Sequence, residues 1–272
     1  MQQIIRRSFV ALATLALIVA FVGVMSTRAS AVSKLAEVQS TKTLKIGWAE
    51  WNPLEYRDVG SNELKGMLID LGKRIAAKIG AKPVFVEDNW ATLASGVAAG
   101  KFQIALEGIT SERERLVDFS HPLYYSEFTA IVHKDSPYRS WDDINKSNVA
   151  ISVTTGSSCD QVLGELEKAG KVKARIVRIK DVGPGVLALA TGQVQAYTDQ
   201  KDALLSVLAS HPEFALVSGS YSAAQFGVAI PRGQPELKSA IDKAVIGMLK
   251  DGTIRALLRQ YHVVGNDPAS VR

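Results

Sequence analysis

The sequence predicts an α/β fold with largely parallel sheets, and three observations predict it. Strand-like and helix-like segments alternate along most of the chain. The helical segments close on glycine, as at Gly80 and Gly100. A helix–Gly–strand unit also occurs twice, as Leu93–Leu106 around Gly100-Lys-Phe-Gln-Ile-Ala and as Leu187–Thr198 around Gly192-Gln-Val-Gln-Ala-Tyr. Two similarly built lobes would explain that echo; chance likeness between ordinary units is the other reading.

Residues 1–31 read as an export leader. Arg6 and Arg7 precede an apolar run from Phe9 to Met25, and Ala29-Ser-Ala31 supplies the small residues of a cleavage site. The run is 17 residues, so an uncleaved anchor is the alternative to cleavage after Ala31. Arg-Arg-Ser-Phe-Val weakly resembles a twin-arginine signal, but paired basic residues are common in any leader. Taking 31 from 272 leaves 241 residues, enough for one large domain or two modest lobes. The leader carries Arg6, Arg7, Arg28 and no acid, so the net charge of +5 falls by three to +2. That balance, with no Lys/Arg-rich run, gives no case for nucleic acid.

From Val32 to Lys42 the chain reads as a loose polar stretch. Thr43–Gly47 is strand-like, and 48–66 is a loop rich in Pro, Gly, Asp and Asn. Met67, Leu68, Leu71, Ile75 and Ile79 recur at helical spacing before Gly80. Lys82–Val86 is a strand, Trp90–Ala99 a helix and Phe102–Leu106 a strand. Phe128–His133 leads out of this region to a second unit, with a strand at Asn148–Val153 and helices near Asp160–Ala169, Gly185–Thr191 and Lys201–Ser210. Gln225–Ile230 reads as a returning strand, followed by helices at Glu236–Lys250 and Thr253–Tyr261.

Common catalytic signatures are missing. His121, His133, His211 and His262 lie far apart with no metal-ligand spacing, and Cys159 is the only cysteine, so no intramolecular disulfide forms. Gly183-Pro-Gly185-Val-Leu-Ala188 fits a dinucleotide fingerprint but reads as ordinary turn chemistry opening a helix. No cofactor is expected.

The most specific passage is Gly108-Ile-Thr-Ser-Glu-Arg113-Glu-Arg-Leu-Val-Asp118-Phe-Ser-His-Pro122. It resembles the T-I-T-x-E-R-x-x-x-V-D-F-S-x-P segment of the polar-amino-acid periplasmic binding proteins, the extracellular solute-binding proteins of family 3. The resemblance extends to the Gly47–Pro53 loop, Gly66-x-x-x-Asp70-Leu71, Gly156-Ser-Ser158 and the terminal Leu249-Lys-Asp-Gly252-Thr. It implies a type II periplasmic-binding-protein fold, each lobe a mostly parallel sheet flanked by helices, joined by two hinge strands. The lobes expected are 32–130 with 226–272, and 131–225, with hinges near Ala130–Lys134 and Val228–Pro231.

The resemblance also implies the site. Arg113 holds a ligand carboxylate, which suits a guanidinium fork; Arg115 reads as a surface residue. Ser157 and Ser158 stand where the family usually has Gly-Thr-Thr, before a helix whose N-terminus favours anions. Their plain alternative is capping by Ser158 or Asp160. Asp199 pairs with the ligand's ammonium, or else caps the next helix. Trp51 and Trp90 flank the ligand's side chain, with core packing an equal alternative for Trp90, and Trp48 is a third candidate.

This chain departs from the family between Gln103 and Arg113, where it is about two residues shorter. Gly108 and Glu107 then replace the residues that commonly bind the ammonium, and Glu107 either faces the pocket and selects a cationic side chain or points to solvent. Gln103 and Gln195 replace an Asp in each lobe and read as structural variation.

The function implied is a periplasmic, monomeric substrate-binding component of an ABC-type importer. It would capture an amino acid or similar amino-carboxylate by hinge closure and pass it to a membrane permease, with no catalysis. A cyclohexadienyl-dehydratase-like enzyme on the same scaffold and the ligand-binding subunit of a sensor are the alternatives.

Overall fold

Strands and helices alternate as expected in a computed structural model that describes residues 33–263. The expected leader lies outside those residues. The stretch expected to be loose is instead α1 (Lys34–Thr41), which buries Val38 and ties Lys34 N to Gln234 Oε1 at 2.8 Å. Its weak amphipathicity hid it, since a single buried apolar residue leaves no period to read.

The first half follows as β1 (Thr43–Trp48), the short hairpin β2 (Tyr56–Arg57) and β3 (Leu64–Lys65), α2 (Met67–Lys78), β4 (Lys82–Glu87), α3 (Leu93–Ala98), β5 (Ile104–Gly108), α4 (Ser111–Glu114) and β6 (Val117–Phe119). The strand β7 (Tyr124–His133) leads into α5 (Trp141–Ile144), β8 (Ala150–Thr154), α6 (Ser158–Lys168), β9 (Arg175–Ile179), α7 (Val182–Ala190), β10 (Ala196–Gln200), α8 (Lys201–Ser210) and β11 (Phe214–Leu216). The chain returns through β12 (Ser222–Pro231) to α9 (Pro235–Lys250) and α10 (Thr253–Gln260).

Strand order is β4-β1-β5-β12-β7-β10-β8-β9, with β6 on β12 and β11 on β7. β4, β1 and β5 run parallel, and so do β10, β8 and β9. The two parallel sets meet through the antiparallel pair β7 and β12, joined from Ser222↔Phe128 to Phe226↔Tyr124. Beyond that stretch β7 pairs with β10 and β11, while β12 pairs with β5 and β6. The change of partner therefore falls at 124–128 and 222–226, a few residues before both expected hinge positions. Each crossing strand is ten residues, longer than the Phe128–His133 and Gln225–Ile230 segments read from the sequence.

The repeated unit is real in structural terms. Gln103 Oε1 accepts from Lys45 N at 2.7 Å while its own N–H donates to Lys45 O; Gln195 does the same with Ala150, at 2.9 Å. Each glutamine locks the start of one parallel strand to its neighbour, so both keep a shared backbone role. Separate apolar cores lie in each half, one around Ile46, Leu71 and Ile241, another around Ile151, Val153 and Leu163. The Gly183-Pro-Gly185 motif opens α7 itself, and Gly185 is needed because a Cβ there would sit 2.6 Å from the Tyr197 ring. It is a packing glycine, not a phosphate turn.

Candidate functional site

The parallel strands of both halves end at one cleft, the place where open α/β sheets bind ligands. After β5, Thr110 caps the short helix α4, its hydroxyl accepting from Arg113 N at 3.3 Å. The Arg113 side chain folds back beneath Gly108 and is 1% exposed. Its Nη1 donates to Gly108 O at 2.9 Å and its Nη2 donates to Gly156 O, in the second half, at 3.0 Å. Nε lies 3.1 Å from Glu107 Oε2, close enough for an ion pair but without hydrogen-bond alignment.

Glu107 is fully buried, so it does not point to solvent, and it is not among the residues lining the cleft cavity. Burial raises its carboxyl above the usual range, and Arg113 pulls it back down. It thus serves as an internal counter-ion to the arginine.

From the second half, β8 ends at Thr154 and the chain turns through Gly156, whose φ of +73° suits glycine. Ser157 caps α6 by accepting from Asp160 N at 3.1 Å, so the cap is Ser157 itself. Ser158, buried at the first helical position, packs on Gly108: a Cβ on that glycine would lie 2.8 Å from Ser158 Oγ. Asp160 instead ties the loop to the sheet, accepting from Gly156 N at 2.9 Å and Arg178 Nε at 2.8 Å.

Asp199 closes the floor. Burial pushes its carboxyl up to about 6, against the opposing pull of the Gln200 amide, the Tyr197 hydroxyl, the Cys159 thiol and the Trp51 indole. The Tyr197 hydroxyl donates to Oδ2 at 2.9 Å and Gln200 N donates to Oδ1 at 2.7 Å. The side chain does not cap α8, whose N-cap is Gln200. A buried carboxylate with these few neutral donors gains from an incoming cation.

Trp51, 3% exposed, stacks on Phe226 at 6.0 Å and meets Trp90 edge-on at 5.6 Å. Trp90 is half-buried and donates from Nε1 to Glu50 O at 3.4 Å. Both rings line the cleft cavity, together with Thr154, Ser157, Ser158, Val182, Asp199 and Gln200. Trp48 does not; it is buried, with Arg57 lying over its ring at 5.6 Å. The structure therefore brings Trp51, Trp90, Ser157, Ser158 and Asp199 to one cavity. Arg113, Glu107 and Gly108 sit directly behind it.

Three lining residues were not anticipated. Thr154 and Gln200 end parallel strands next to named motifs, a position that could have flagged them. Val182 carried no such signal. The cavity is about 10 Å³, room for roughly one water.

The profile described as bacterial extracellular solute-binding proteins, family 3, matches residues 44–264. The chain belongs to that family. Among its curated relatives, the amino-acid-binding protein AabA of Dichelobacter nodosus is 25% identical over 222 residues, covering 79% of this chain and 85% of that one. The L-cystine-binding protein TcyJ of Escherichia coli is 24% identical over 250 residues, covering 89% and 91%. Among solved structures, an ancestral amino-acid-binding protein described as a precursor of cyclohexadienyl dehydratase is 28% identical with a TM-score of 0.74, covering 85% of this chain and 99% of that one. A mutant of ArgBP from T. maritima is 23% identical with a TM-score of 0.75, covering 84% and 98%, and speaks to fold alone. The fold of this family member is the expected two-lobed type II α/β fold.

Proposed function

We propose that this chain is the substrate-binding component of an ABC-type importer and captures an amino acid or similar amino-carboxylate between its two lobes. The observation that carries the reading is the convergence of opposite charges from opposite halves. Asp199 lines the cleft cavity together with two indoles and the N-terminus of α6, and Arg113 stands directly behind it, its guanidinium held by Gly108, Gly156 and Glu107. A zwitterion needs both charges answered if it is to be buried. The curated relatives are named as binding proteins, which supports binding without catalysis.

In this reading the lobes are 32–130 with 226–272, and 131–225. They part about the β7–β12 crossing and close on ligand. The protein is exported by its leader to the periplasm, works as a monomer and delivers its ligand to a membrane permease. One observation favours the enzymatic alternative: Asp199, lifted to about 6, is poised for proton transfer. The likeness to a precursor of a dehydratase adds to it. Against it, the carboxyl is already engaged by the Tyr197 hydroxyl, the Gln200 amide and the Cys159 thiol, and no second acid or base among the described residues lines the cavity.

A thermal-shift screen of amino acids against wild type and Arg113→Lys tests the reading. A ligand at one hundred times its Kd raises stability by about 2.7 kcal/mol. One amino acid is expected to shift the wild type strongly and the lysine variant weakly, with no product formed. No shift with any amino acid, or turnover of the bound one, would overturn it.

A further inference from the structure

The cleft closes unevenly. Along one flank, α4 is stitched to α6: Thr110 Oγ1 donates to Gln161 Oε1 at 2.5 Å, Ser111 Oγ donates to Glu165, and Arg113 reaches Gly156. Along the opposite flank the 50–52 loop stands away from α7 and α8 and leaves a groove of about 440 Å³. Its walls are Trp51, Val182, Val186, Leu187, Ala190 and Val207, and Leu187 is 62% exposed there. Glu50, Asp181 and His211 line it as well, with Asn52, Ser206 and Ser210, and Lys180 lies 4.0 Å from Asp181.

The groove and the inner cavity share a wall, since Trp51 and Val182 line both. Its size falls within the roughly 300–1,000 Å³ of small-molecule sites. A ligand anchored at Arg113 and Asp199 has no room for a side chain in the inner cavity and no exit along the stitched flank. The open flank is largely apolar in its walls and carries two carboxylates, Glu50 and Asp181, against one imidazole, His211.

We propose that this groove receives the ligand's side chain, and that the ligands are amino acids with a long, unbranched, largely apolar side chain whose tip is neutral or cationic, not anionic. The proposal rests on the amino-acid reading above and adds the class. Short side chains leave the groove walls exposed, whereas long ones cover Leu187 and Ala190. A terminal cation meets Glu50 and Asp181, and a terminal carboxylate is repelled by them.

Titration calorimetry of the purified protein with L-alanine, L-norleucine, L-lysine and L-glutamate tests it. Norleucine and lysine are expected to bind at least roughly tenfold more tightly than alanine and glutamate, the scale set by burying methylenes in an apolar pocket. Ala190→Trp, at an exposed position on α7 away from the charged anchors, fills the groove and should remove most of that advantage while leaving alanine within about twofold. Leu187→Lys, also exposed, should weaken lysine more than norleucine. If alanine binds as tightly as norleucine, or Ala190→Trp leaves norleucine and lysine unchanged, the groove assignment falls and the amino-acid reading stands. If none of the four and no other amino acid binds, both fall together.

Discussion

Replacing Arg113 with alanine should damage the fold as well as the site, because it strands Glu107. Both side chains are almost wholly buried, at 2% and 0% exposure. Removing one partner of a buried ion pair costs about 3–5 kcal/mol. For a chain of this size that lowers Tm by roughly 6–20 °C, at about 2–4 °C per kcal/mol. The double variant Arg113→Met with Glu107→Leu removes both charges. It loses only the bonds to Gly108 and Gly156, at about 1 kcal/mol each, and should return to within about 2 kcal/mol of wild type. Urea denaturation of the wild type, both single variants and the double variant measures the coupling. The deficit of Arg113→Ala should also depend on pH. Burial holds the folded-state pKa of Glu107 above its usual 4.5, so the folded state keeps the extra proton. Stability of the variant therefore recovers as pH falls toward that value. If Arg113→Ala were as stable as wild type, or the double variant no better than the single, Glu107 would not be the counter-ion described.

Asp199 binds its proton more tightly folded than unfolded, at about 6 against 3.8. Its contribution is thus present below the lower value and lost as pH rises to the upper. Asp199→Asn should flatten that slope and gain up to about 3 kcal/mol above pH 6 while weakening amino-acid binding; urea midpoints on either side of the window that keep the wild-type slope would count against it. Gly108→Ala should prop the lobes apart, since its Cβ would fall 2.8 Å from both Cβ and Oγ of Ser158. Small-angle scattering should show a larger radius of gyration, and Ser158→Gly should restore closure; unchanged scattering would refute the contact. Trp51→Ala, which removes a buried ring stacked on Phe226, should cost about 3–5 kcal/mol. Trp90→Ala should cost clearly less while lowering ligand affinity, and equal losses would show Trp90 to be a core residue.

The fold was legible because its signals are local. Lys201–Ser210 was read to the residue, and Met67–Lys78 to within one, since their apolar spacing and terminal breakers lie inside the segment itself. The crossing point was not legible, because strand partners are set by non-local pairing and β7 changes partner midway. Within the site, Trp51, Ser158 and Asp199 could be placed from motifs at strand ends. Glu107 could not, because its environment depends on which way Arg113 folds. Trp48 has the same residue type and neighbourhood as Trp51 but sits within β1, where its ring turns under Arg57 and away from the cleft. Val182 reaches the cavity only because α7 begins three residues before the helix read from Gly185.

The account rests on a carboxylate being held at Arg113 and an ammonium at Asp199 within one closing cleft. Titration calorimetry comparing an amino acid that binds with its methyl ester and its decarboxylated amine tests this most directly. The account predicts that the free amino acid binds and that losing the carboxylate charge weakens it at least roughly a hundredfold, the worth of a charge-assisted bidentate contact. Equal affinity for acid, ester and amine would contradict it, and would mean that Arg113 is held by Glu107 for the fold alone.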